Sequence, residues 1–162
     1  MCALWQPERF EHIKDYEDWE KELIEDEDLE RHVSEGTFVP LYLRADVVFD
    51  VVVRPSAGLS EREERFRLGS SDPYRPISRG NIAMGGLEHV GETTEDTKTF
   101  PLAAGTYSVI AHFIDWNAEP GSLGPDGAPT SDALPDLVIE LHEEREPEPI
   151  YRTSLDTWAR WS

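Results

Sequence analysis

The sequence predicts a mainly β protein: an antiparallel β-sandwich or partly closed barrel carrying two short N-terminal helices. Three observations predict it. Residues 8–35 lack Gly and Pro altogether, the residues from Phe38 onward form short β-branched or aromatic runs, and Gly, Pro and Asp punctuate those runs. Helical character confined to one end and strands filling the rest favour a sandwich of roughly six to eight strands over a parallel α/β sheet. The 162 residues suit one domain, read as a helical segment over 8–35, a β-sandwich over 36–143, and a linker with a Trp-bearing tail over 144–162.

Within 8–35, Tyr16, Trp19 and Leu23 share a helical stripe, whereas Leu29 and Val33 leave it on an uninterrupted 3.6-residue period. Two short helices are therefore expected, with the seam at Glu25-Asp26-Glu27-Asp28, where adjacent like charges repel and an Asp can cap the second helix. Gly36 ends the helical segment. Strands are expected at Phe38–Leu43, at Val47–Val53 as a central strand buried on both faces, and at Glu64–Leu68 as a half-exposed edge. Asn81–Met84 and Thr97–Leu102 read as weak strands, the second closed by Ala104-Gly105. Thr106–Ile114 alternates most cleanly, and Leu137, Ile139 and Leu141 give the last strand one apolar face. Between these two lies a Gly/Pro/Asp-rich stretch from Asn117 to Leu134, long enough to suggest a functional or mobile loop. Trp158 and Trp161 near the chain end imply docking onto the domain or a partner.

With 34 acidic against 15 basic side chains the formal charge is −19. Such a body repels phosphate backbones and anionic lipid, which excludes direct nucleic-acid and membrane-surface binding and favours cationic partners. The hydrophobic fraction of 38% and sixteen aromatic residues separate the chain from disordered acidic tails. The N-terminal stretch has neither a basic region nor a long apolar one, and no run approaches a membrane span, so a cytoplasmic location is expected. Cys2 has no second thiol to pair with.

No residue pattern here dictates a chemistry. The histidines at 12, 32, 89, 112 and 142 share no metal spacing, and no Gly-x-Ser-x-Gly or phosphate-binding loop occurs. No catalytic residue, metal or cofactor is assigned, and the protein is expected not to be an enzyme. Two alternatives remain open: His112 with Asp115 as a general-base pair, and a calcium- or carbohydrate-binding module using Asp115, Asn117, Asp126 and Asp132. Asp50, in an apolar run, reads as a structural hydrogen-bonding residue.

Trp19 in an acidic helix, Glu35-Gly36-Thr37 before a strand, Phe66-Arg67-Leu68, and Thr99-Phe100-Pro101-Leu102-Ala103-Ala104-Gly105-Thr106-Tyr107 follow one another in an order that resembles the DNA-entry nuclease inhibitor family, also called competence protein J. Phe100, Leu102, Gly105 and Tyr107 are close in form to that family's Phe-x-Leu-x-x-Gly-x-Tyr lead-in to a late strand. The resemblance implies inhibition of a DNA-degrading nuclease by protein–protein contact, a trade shared with bacterial immunity proteins that neutralise a toxin. Carboxylates on a helical surface can imitate DNA phosphates in a nuclease cleft. The expected partner is thus a basic nuclease or toxin, and the expected partner-binding residues are Asp15, Glu17, Asp18, Glu22, Glu25, Asp26, Glu27 and Asp28, with Trp19 anchoring its helix in the core.

Overall fold

The computed structural model describes residues 1–42, 49–92, 94–146 and 150–157. The expected strand positions Leu43, Val47 and Val48 and the tail residues Trp158 and Trp161 lie outside the described residues.

The chain forms a mainly β structure: seven strands in a mixed sheet, accompanied by short helices and not closed into a barrel. The strands are β1 (Cys2–Trp5), β2 (Phe38–Leu41), β3 (Val51–Pro55), β4 (Arg67–Ser70), β5 (Ile77–Gly86), β6 (Lys98–Ile114) and β7 (Leu137–Glu143). Their order is β2-β1-β5-β6-β7-β3, and β4 also pairs with β6. β6, 17 residues long, is the spine. Its first half pairs with β5, its second half pairs with β7 on one side and β4 on the other, and one apolar cluster joins Leu4, Ile82 and Leu102 to Val109, Ile139 and Leu141.

β6 joins what the sequence suggests are two strands. Gly105 does not end it, because the ladder continues across a bulge: Ser78 pairs with Gly105 and Gly80 with Leu102, so Ala103 and Ala104 of β6 stand opposite Arg79 alone, and Gly80 takes φ +133°. The Ser78 hydroxyl fills the gap, donating to Leu102 O at 2.7 Å and accepting from Gly80 N–H at 3.1 Å.

Two further expectations, for Val47–Val53 and for Glu64–Leu68, are corrected, and one strand is new. β3 is a terminal strand of the sheet and its three valines are only half-buried; it runs parallel to β7, the single parallel pair among the described strands. β1, too short for periodicity to show, is an interior strand between β2 and β5 with Ala3, Leu4 and Trp5 buried. Where an edge strand over Glu64–Leu68 is expected, a short helix α3 (Glu61–Arg65) precedes β4. A capping box starts it: the Ser60 hydroxyl accepts from Glu63 N–H, and the Glu63 carboxylate accepts from Ser60 N–H. The long loop carries hydrogen bonds of its own and to α3. Gly124 N–H donates to Ala128 O, Thr130 N–H to Ser122 O, and Arg62 reaches across to the Glu119 carboxylate and Asp132 O.

The two N-terminal helices are α1 (Tyr16–Leu23) and α2 (Asp26–Ser34), parted at Ile24 and Glu25. Asp15 caps α1 by accepting from Asp18 N–H, whereas the residue in the cap position of α2 is Glu25, without a side-chain bond. α2 ends in a Schellman motif: Thr37 N–H donates to His32 O and Gly36 N–H to Val33 O, with Gly36 at φ +74°. The helices bury Leu23, Leu29, His32 and Val33 against the sheet.

A second, smaller apolar cluster of Ile114, Leu134 and Val138, flanked by Leu59, Phe66 and Trp116, covers part of the opposite sheet face. Residues 150–157 dock as well: Thr157, fully buried, donates to Pro40 O and accepts from Tyr42 N–H, both at 3.0 Å. Tyr74, whose phenol burial pushes up to about 12, donates to Ser154 O. Among the described residues no helix is long and apolar enough to cross a membrane.

Candidate functional site

The eight carboxylates singled out from the sequence fall into two groups once α1 and α2 are built. Five have work within the protein. Asp15 caps α1, Asp18 accepts from Lys14 N–H at 3.1 Å, Glu17 pairs with Lys21 at 2.7 Å, and Asp28 pairs with Arg31 at 2.5 Å. Glu22 faces inward, with Arg9 at 2.9 Å, His32 at 3.1 Å and His12 at 3.5 Å. Glu25, Asp26 and Glu27 are exposed, as are Glu20 and Glu30, which sequence reasoning passed over. These five side chains make no ion pair among the described residues, so their field is directed at solvent.

Asp26, Glu27 and Asp28 occupy the first turn of α2, where the exposed backbone N–H groups favour negative charge. Their crowding is thus compatible with a stable helix. Burial of His32 beneath them pushes its imidazole below the usual range, against the opposing pull of Glu22. A neutral His32 imidazole adds no positive charge to this surface.

Beside α1 opens a cleft of about 140 Å³. Ile13 and Val90, both buried, form its apolar part, and Tyr16, Trp19, Asp15 and Glu92 contribute to its walls. Trp19 is half-buried, packs against the main core and donates its indole N–H to Leu87 O at 3.0 Å. Tyr16 stacks on it, with centroids 5.8 Å apart and planes inclined by 18°, yet remains 68% exposed. Trp19 anchors its helix as the sequence suggests, and in doing so holds Tyr16 as a platform at the rim. The sequence carries no sign that Glu88 and Glu92 join this cleft, because they lie in a different segment of the chain.

On the far sheet face a polar row crosses three strands. Ser70 on β4 lies 2.7 Å from Nδ1 of His112 on β6, and Nε2 of His112 lies 3.2 Å from Glu140 on β7. Arg67 donates to the Ser70 hydroxyl at 2.9 Å, which leaves that hydroxyl to donate to Nδ1 and puts the imidazole proton on Nε2, toward Glu140. The second Glu140 oxygen lies 3.1 Å from His142. Burial lowers the His112 pKa, opposed by Glu140. The partners of His112 are therefore Ser70 and Glu140. Asp115, its expected companion, instead sits at the cap of a short turn, its N–H bonded to Phe66 O.

The loop carboxylates are dispersed too: Asp126 accepts from Ala128 N–H, and Asp132 offers its backbone carbonyl to Arg62. Among the described residues no group of three or more His, Cys, Asp or Glu side chains could hold a metal ion. Asp50 is exposed; its N–H donates to the Asp136 carboxylate at 2.8 Å, and its carbonyl accepts from Asp136 and Leu137. No protein-family model matches the chain, and no curated protein or solved structure does either.

Proposed function

We propose that the protein is a non-catalytic acidic binding protein that occupies the cationic cleft of a basic partner, a nuclease it inhibits or a toxin it neutralises as an immunity protein does. The observation that carries this reading is the set Glu20, Glu25, Asp26, Glu27 and Glu30, exposed on two successive helices and unpaired. Charge arranged this way accelerates encounter with a cationic surface and stands in for a run of phosphates. Two facts add support. A net charge of −19 disfavours nucleic acid as a direct ligand, and the resemblance of Phe100, Leu102, Gly105 and Tyr107 to the competence protein J family points to the same trade. Tyr107 is buried in β6 and donates its hydroxyl to Ala103 O, a fold-forming role. The place of action in this reading is the cytoplasm.

The test is purification of the tagged protein from its source at low salt, followed by assay of whatever basic protein is retained. A retained partner should elute as salt rises, and its cleavage of DNA or its toxicity should fall when stoichiometric protein is added back. A small metabolite as the retained ligand, or a retained protein whose activity is indifferent to the addition, would reject the reading.

A further inference from the structure

The cleft beside α1 has features that the proposed function does not require, and they specify a ligand chemistry. At about 140 Å³ it is well below the roughly 300–1,000 Å³ of sites that take cofactors or metabolites, and is of a size for a single side chain. Its apolar part, Ile13 and Val90, suits a methylene stem. Its rim is aromatic and negative at once: the Tyr16–Trp19 stack stands with Asp15, Glu88 and Glu92, against the ammonium of Lys14 and the His89 imidazole, which lies 3.8 Å from Glu88 and 3.9 Å from Glu92.

We propose that this cleft binds an arginine side chain of a partner protein, its guanidinium lying on the exposed ring of Tyr16 and forked by a carboxylate at the rim. The planar, weakly hydrated guanidinium is the cation that stacks on an aromatic face while offering paired donors to a carboxylate; an ammonium does only part of this. Tyr16 and Trp19 are nearly parallel and in contact, so no third plane fits between them and the ligand takes the outer face. The indole N–H of Trp19 is already committed to Leu87 O, which fixes the platform before the ligand arrives. Lys14 sets the limit on affinity, because its cation shares the rim. Identifying the ligand as the anchor residue of a basic partner rests on the function proposed above; the guanidinium chemistry of the cleft does not.

The experiment titrates acetyl-Gly-Arg-Gly-amide, its lysine analogue and its uncharged citrulline analogue into isotope-labelled protein, followed by the nuclear magnetic resonance signals of residues 13–19 and 88–92 and of the Trp19 indole. The arginine peptide should shift these signals with millimolar affinity, the lysine peptide several-fold more weakly, and the citrulline peptide hardly at all. Tyr16→Ala should weaken arginine binding roughly 3- to 10-fold, and Glu92→Gln a few-fold. Lys14→Ala should tighten it. Tyr16 and Glu92 are both exposed, so the spectra of these variants should otherwise match the parent. Equal shifts with citrulline, shifts spread evenly over the acidic helices, or an affinity unmoved by Tyr16→Ala would overturn the assignment. Arginine binding here without any retained basic partner would uphold the cleft and remove the inhibitor reading. A retained partner indifferent to Tyr16→Ala would do the reverse.

Discussion

Arg54 on β3 and Glu63 on α3 meet through two hydrogen bonds, Nη1 to Oε2 at 2.6 Å and Nη2 to Oε1 at 2.5 Å. Glu63 is buried, and the same carboxylate accepts from the Ser60 N–H and hydroxyl. Burial alone would raise its pKa, but Arg54 and Ser60 together outweigh it and hold the carboxyl at about 2. In the unfolded chain a Glu titrates near 4.3, so the unfolded state binds more protons between the two values and stability is lost as pH falls through that window. The contribution is on the order of 3 kcal/mol. We expect Glu63→Gln to cost about 3 kcal/mol in urea unfolding at pH 7, since it leaves a partly buried guanidinium without its counter-charge. The variant should also lose much of the parent's decline in stability between pH 4.5 and pH 2.

At milder acidity the histidines take over. Burial depresses both His32 and His112 below the ordinary imidazole range. Unfolded, each takes up a proton near pH 6.5, which the folded state resists, so stability present above that pH is lost as pH falls below it. The melting temperature should therefore be higher at pH 7.5 than at pH 5.5. His112→Asn should shrink that difference whatever it does to the absolute value. An unchanged slope would mean that the row from Ser70 to Glu140 accommodates the charged ring.

Gly36 closes α2 at φ +74°, and a Cβ there would come within 2.7 Å of Arg75 O. Backbone strain and a clash with a main-chain atom act together, so Gly36→Ala should destabilise by about 2 kcal/mol or more. Thermal unfolding will read this directly.

Thr157 offers a different kind of check, on the docking of 150–157. Thr157→Val keeps the shape but removes the donor to Pro40 O and the acceptor for Tyr42 N–H. About 1–3 kcal/mol should be lost, whereas Thr157→Ser should lose much less. Equal stability of the valine variant would show that the segment contributes little.

On the acidic face, reversal of Glu20 and Glu30 to lysine should slow association with a basic partner several-fold at low salt, with the difference closing as salt rises. Folding should change by under about 1 kcal/mol, because these side chains are exposed and unpaired. Reversal at Asp26, Glu27 or Asp28 is a poorer probe. All three occupy the first turn of α2, and Asp28 also holds Arg31, so about 0.3–1 kcal/mol of helix stability goes with each.

The parts legible in the sequence were those set by local rules. The off-stripe positions of Leu29 and Val33 and the glycine at 36 give two helices and their end; alternation at Leu137, Ile139 and Leu141 gives β7. Ser60 and Glu63 carried a capping-box signature too, masked by the alternation of Phe66 and Leu68 that follows. What was not legible depends on pairing. Pro101 and Gly105 read as punctuation, but the ladder with β5 passes over that point through a bulge, with Ala103 and Ala104 opposite Arg79, so β6 runs on. His112 could not be matched with Glu140 until the register of β6 against β7 was known, and Tyr16 with Trp19 becomes a cleft only because Leu87, 68 residues away, accepts the indole proton.

The parallel pairing of β3 with β7 has a bearing on how the chain must acquire its shape. The Asp50–Asp136 contact at the mouth of that pair spans 86 residues, and β7 also completes the flank of β6. During synthesis, β1, β2 and β5 can zip together as they emerge, but β3 is without its ladder until β7, Leu137–Glu143, has left the ribosome. Closure of so long a loop is entropically slow. Over that interval a valine-rich strand is kept from aggregation chiefly by the mutual repulsion of the acidic nascent chains.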